Sequence, residues 1–186
     1  MTLALAAASV AIAASMTMLG ISTVSHISNT RLVIRTIRLH RVLPQHAIPA
    51  ATVAFIVAET MALGLLIADV RRIAIGRPPV WLLAPLVVSA GLAAYAAIAS
   101  SVSVRHSTNA PCGCGGPAEA PLGFWTTLRA VVLVALIGVP AAVFSLGQAS
   151  AVDWHNGSLL LVVGCLLGGY LWLIPASLAI PQGRTR

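Results

Sequence analysis

The residues best suited to chemistry sit in one short loop, Asn109-Ala110-Pro111-Cys112-Gly113-Cys114-Gly115-Gly116-Pro117. The chain holds three cysteines, and two of them stand here with a single glycine between them. Gly113 and Gly115 permit backbone angles that other residues resist, so the two sulfurs can turn toward each other. A disulfide needs Cα atoms roughly 4.4–6.8 Å apart, which an i, i+2 pair reaches only in a tight bend. The resulting small ring would be strained, and strained disulfides are the oxidising, exchangeable kind. The spacing therefore predicts a dithiol/disulfide centre at Cys112 and Cys114, with Gly113, Gly115 and Gly116 setting the loop geometry. Arg105, a short way upstream, is the candidate cation for favouring a thiolate. Two other readings stand beside this one. The pair could hold a metal with His106 as third ligand, but four-coordinate zinc needs one more, which no nearby Cys or His supplies. Alternatively, a Gly-rich turn merely carries two cysteines.

Glu59 is the second informative residue, because it lies near the middle of a long apolar run. A carboxylate there costs at least ~3 kcal/mol on insertion scales, so it is expected to face a bundle interior, protonated or paired. It would act as a proton relay or polar contact to a quinone, or else as a buried hydrogen bond between helices. Asp69, beside Arg71 and Arg72 at the end of the same run, reads as a surface ion pair. Cys165 lies within the last apolar run and reads as a small packing residue. The histidines are scattered with no i, i+4 pair, which argues against a bis-histidine haem. The chain has no P-loop, nucleophile elbow or HExxH motif.

These residues must be positioned by membrane helices. Of 186 residues, 59% are apolar and only 8% charged, with a mean hydropathy of +0.97. An ordinary soluble domain carries about a quarter charged residues, and disorder needs low hydrophobicity, so both classes are excluded. The net charge of +7 comes entirely from arginine. These arginines fall between apolar runs rather than in one patch, so no nucleic-acid partner is expected. Five runs are long enough to cross a bilayer, at residues 3–24, 48–70, 80–104, 126–148 and 158–180. The expected fold is one all-α membrane domain over 1–186, a helical bundle of about five transmembrane helices plus a short interfacial amphipathic helix. The first run lacks a preceding basic residue and exceeds a signal-peptide core, so it reads as a retained helix. Residues 30–46 place Arg31, Arg35, Arg38 and Arg41 at near-helical spacing, with Leu32, Ile37, Leu39 and Leu43 turned largely away. The segment reads as a basic interfacial helix or as a topogenic loop. The small residues of Ala4–Ala14 and Gly164–Gly169 suit close helix packing.

The order of these features resembles the MauE group of the DoxX-like redox-associated membrane proteins. The resemblance rests on the basic stretch ending in Leu43-Pro44, on Glu59 followed by Gly64-Leu65-Leu66, and on a third span running into Cys112-Gly113-Cys114-x-Gly116. It covers roughly residues 1–145. Where the group reads Cys-Gly-Cys-Phe-Gly, this chain has Gly115 in place of the aromatic residue, which removes any packing role for a ring there. The resemblance implies that Cys112 and Cys114 are a redox pair and that Glu59 is the group's intramembrane acid. It also implies a role in maturing an exported, disulfide-rich client such as methylamine dehydrogenase, beside a thioredoxin-like partner.

The expected function is thus a membrane thiol–disulfide protein of the bacterial inner membrane. With one usable cysteine pair, it would need a quinone or a second protein to carry electrons onward. The alternative is a noncatalytic accessory or scaffold subunit of a larger membrane complex, its cysteines structural or metal-binding. Redox logic places the 105–125 loop on the outer face, because cytosolic thiols are kept reduced. The arginine count places it inside. An interfacial helix lying flat would explain why the arginines of 30–46 do not control orientation.

Overall fold

With no water in the bilayer core, each apolar run must satisfy its own backbone hydrogen bonds, and it does so as a helix. The computed structural model describes residues 3–75, 77–106, 112, 122–146 and 154–178, with side chains of the last helix over 158–173. Among the described residues there are six α-helices and no strand: α1 (Leu3–Ser28), α2 (Thr30–His40), α3 (Ile48–Ala74), α4 (Leu83–Arg105), α5 (Phe124–Ser145) and α6 (Trp154–Leu178). A single 3₁₀ turn, Gln45–Ala47, leads into α3, and Pro49 sits in the first turn of that helix, where its missing N–H costs nothing. Helices α1, α3, α4 and α5 are long and apolar enough to cross a membrane, and the described part of α6 is equally apolar. The chain is an all-α membrane helical bundle.

Helix α1 is its centre. Leu5, Ile12, Ala14, Ser15, Met18 and Leu19 are all buried, although they point in different directions around the helix. Helices α3, α5 and α6 pack around it. The approach to α6 is the closest: a Cβ on Gly164 would lie 2.5 Å from the Val10 carbonyl oxygen, and one on Gly168 would lie 2.5 Å from that of Ala14. Gly164 and Gly168 are one helical turn apart, so the backbones meet along a stripe without side chains. The two small-residue segments seen in the sequence are therefore packed against each other inside one chain. Cys165, next to inward-facing Gly164, is a free thiol on the exposed side of α6 rather than a packing residue.

Helix α2 follows α1 after Asn29 and folds back onto α3 and α4. Val33, Thr36, Ile37 and His40 recur at helical spacing and form its buried face, while Arg31, Arg35, Arg38 and the following Arg41 are exposed. Val33 and Ile37 pack on Ile48, with Leu43 alongside. Leu32 and Leu39, turned away from the arginines in the sequence reading, are exposed on the bundle surface. Arg41 takes a left-handed conformation (φ 55°) that ends the helix, its N–H reaching the Arg38 carbonyl at 3.4 Å.

Asp69 is not a surface ion pair. It is 1% exposed, and its two carboxylate oxygens accept the backbone N–H groups of Val80 and Trp81, each at 2.9 Å. The chain after α3 doubles back over the end of that helix, which brings these N–H groups to the carboxylate. Arg72 instead donates from Nε to the Pro78 carbonyl at 3.0 Å.

Candidate functional site

Glu59 lies about 16 Å along α3 from its start, at 1.5 Å per residue, near the middle of that helix. It is 2% exposed and faces α1. Ser22 donates its hydroxyl to Glu59 Oε1 at 2.9 Å, and His26 Nδ1 lies 2.7 Å from Glu59 Oε2. A bare carboxylate facing a bare ring-nitrogen lone pair would repel, so one proton must sit between them. Phe55, one turn before Glu59, packs edge-to-face with the His26 ring, the two centroids 5.0 Å apart. Among the described residues this is the only carboxylate–imidazole ion pair. The intramembrane acid was legible in the sequence. Its partner was not, because His26 stands at a span end with nothing nearby in sequence to pair with.

Two further polar contacts lie close by. His40 of α2 hydrogen-bonds through Nδ1 to the Tyr95 hydroxyl of α4 at 2.9 Å. Arg129 of α5 stacks over Trp172 of α6, its guanidinium carbon 4.3 Å from the ring centroid. Among the described residues no carboxylate lies within ion-pairing distance of Arg129.

All three groups line one cavity of about 180 Å³, in the half of the bundle that α2 covers. Cys112 lines it too. This residue is half-buried and disulfide-bonded. The rest of the wall is mainly apolar, including Met18, Leu19, Phe55, Leu92 and Leu133. Thr36 of α2 and Thr126 of α5 also face the cavity, and their buried hydroxyls have no hydrogen-bond partner.

Of the residues singled out from the sequence, the fold brings Cys112 and Glu59 to a common cavity. Cys114, Gly113, Gly115 and Gly116 lie outside the described residues. Arg105 and His106 end α4 on exposed positions and are not part of the cavity wall. The guanidinium that shares the cavity with Cys112 is that of Arg129. In the sequence Arg129 stands at the start of a span, where a basic residue looks topogenic. Arg31, Arg35, Arg38 and Arg41 face away from the cavity, whereas Thr36 and His40 on the opposite side of α2 form part of its wall. Among the described residues, no three His, Cys, Asp or Glu side chains gather into a metal-binding group.

The MauE resemblance expected from the loop and the intramembrane acid agrees with the family comparison. No curated protein and no solved structure matches the chain. The family model described as "MauE: Methylamine utilisation protein MauE" matches residues 1–144. That span holds α1 to α4, all of α5 but its last residue, Cys112 and every described cavity residue except Trp172, and the chain belongs to the MauE family.

Proposed function

We propose that this chain is a membrane thiol–disulfide redox protein of methylamine utilisation, oxidising an exported thioredoxin-like partner through Cys112 and Cys114. The observation that carries this reading is the Cys112 disulfide at a cavity that also holds the buried Glu59–His26 pair. A partner thiolate attacks the disulfide, forming a mixed disulfide and freeing one thiol of this chain. The partner's second thiol then displaces the other cysteine. In all, the partner loses two electrons and two protons, which the two cysteines of this chain gain as thiols. The partner's new disulfide is passed to a client of the methylamine dehydrogenase kind.

The exchanging loop faces outward, where disulfides persist. The arrangement of α2 supports this orientation. Its arginines are fixed on the side away from the cavity by the packing of Val33 and Ile37 against Ile48. They can lie among headgroups of the outer leaflet without acting as a free cytoplasmic anchor.

Thiol labelling of intact cells tests the reading, using a membrane-impermeant maleimide in a Cys165→Ala background. Labelling of Cys112 and Cys114 without lysis, but only after mild reduction, is the expected result. Labelling before reduction would identify a free external dithiol and defeat the oxidant role, and labelling that needs lysis would place the loop inside and defeat it equally. Cys112→Ser should abolish client maturation. A merely structural disulfide would leave maturation largely intact.

A further inference from the structure

We propose that the cavity binds the ring of a lipid-soluble quinone, which accepts the electrons of the Cys112 pair; the proposal rests on the thiol–disulfide reading above. The size is suitable. An apolar cavity of roughly 150 Å³ admits benzene, and this one measures about 180 Å³. Its apolar walls would hold a flat ring, yet they also carry polar groups that such a wall does not need for its own stability. The Thr36 and Thr126 hydroxyls, on α2 and α5, are buried without a partner. A buried hydroxyl left without a hydrogen bond is costly, and most such groups in proteins find one. A quinone offers two carbonyl acceptors set in an otherwise apolar ring, which meets both demands.

The chemistry around the cavity points the same way. Regenerating a disulfide from two thiols releases two electrons and two protons, and a quinone takes up that number of each to become a quinol. The electron source, Cys112, is part of the wall. The Glu59–His26 pair on the same wall already shares a proton at 2.7 Å, so it can accept one from a thiol and return it to a ring oxygen. Arg129 supplies a fixed positive charge at the site where oxygen gains electron density. Over the whole step, two S–H bonds are lost, one S–S bond forms, and two O–H bonds form on the departing quinol. A cavity holding only water would meet the hydroxyls' needs but would give the dithiol no acceptor.

The test uses the full chain purified in detergent, with Cys165→Ala as background and decylubiquinone as the probe. Equilibrium binding to the oxidised protein should saturate at one probe per chain. A Thr36→Val/Thr126→Val double variant should weaken it by about tenfold. Ala96→Phe, which fills the cavity from α4, should abolish binding while helicity is retained. Adding the probe anaerobically to the reduced protein should close the Cys112 pair and yield one quinol per disulfide, read by maleimide mass shift and by quinol absorbance. The proposal is overturned if no saturable binding is found, if decylbenzene binds equally well, or if the threonine variant keeps full affinity. Exchange of the Cys112 disulfide with a small dithiol is scored separately. Exchange without quinone binding sinks only this proposal, whereas binding without exchange sinks the thiol–disulfide reading and leaves a quinone site without an electron donor.

Discussion

Glu59 Oε2 lies 2.7 Å from His26 Nδ1, tying α3 to α1 across 33 residues of chain. Both side chains are almost fully buried, so neither can fall back on water if the other is removed. Deleting one partner of a buried pair typically costs about 3–5 kcal/mol. His26→Ala should therefore lower the thermal midpoint of the detergent-solubilised protein sharply. Glu59→Gln should cost less, because the amide still accepts from Ser22 and can still bond to His26. A midpoint for His26→Ala within a degree or two of the parent would show that the pair contributes little to holding α1 and α3 together.

The α1–α6 contact makes a second, more local prediction. Gly164→Ala and Gly168→Ala each place a methyl group where the α1 backbone already stands, 2.5 Å from a carbonyl oxygen. Overpacking of this kind costs about 1–3 kcal/mol, and here it should push α6 off the bundle. Gly169→Ala is the control, since nothing lies within 4 Å of its added Cβ. That substitution should be neutral or slightly stabilising, because alanine favours a helix over glycine by roughly 0.5–1 kcal/mol. Thermal midpoints of the three variants, measured side by side, check the ordering.

What the sequence made legible follows from locality. Cys112 and Glu59 stand out because each is chemically foreign to its immediate neighbours, so a single stretch of sequence suffices to notice them. The partners of Glu59 are a helix away, and Thr36 and Thr126 look like any hydroxyl on a membrane helix until their lack of a partner is seen in three dimensions. The partners of Asp69 are hidden for the same reason. Arg71 and Arg72 are adjacent in sequence, but the Val80 and Trp81 amides reach it only because the chain reverses after α3. In α2 the arginines Arg31, Arg35 and Arg38 are exposed. Its inward side is visible only in three dimensions, where Val33 and Ile37 pack on Ile48 while Leu32 and Leu39 turn outward.

Asp69 yields a prediction that separates stability from function. Its carboxylate accepts two backbone donors just ahead of α4, and hydrogen bonds to a charged group are worth roughly 1.5–3 kcal/mol each. Asp69→Ala should destabilise the chain by a few kcal/mol and loosen the start of α4. Asp69→Asn, which keeps one good acceptor, should recover about half of that. Neither substitution touches the cavity, so the exchange rate of the Cys112 disulfide in the folded fraction should be unchanged. A loss of exchange in folded Asp69→Asn would mean that the turn between α3 and α4 communicates with the cavity.

The last prediction concerns which arginine acts on Cys112. Arg105 is nearer in sequence but is exposed at the end of α4, whereas Arg129 lines the same cavity as Cys112. A cation close to a thiol in a poorly solvated site favours the thiolate, and the thiolate is the form that reacts. Water screens an exposed charge far more strongly. Reduced protein carrying Arg129→Gln should therefore be alkylated at Cys112 several-fold more slowly than the parent at neutral pH. Arg105→Gln should react at close to the parental rate. Arg129→Lys should recover part of the loss, since it keeps the charge but not the planar stacking over Trp172. The rates are read by iodoacetamide mass shift in the Cys165→Ala background. Equal slowing by Arg105→Gln and Arg129→Gln would assign the effect to the general positive potential of this face of the bundle rather than to the cavity.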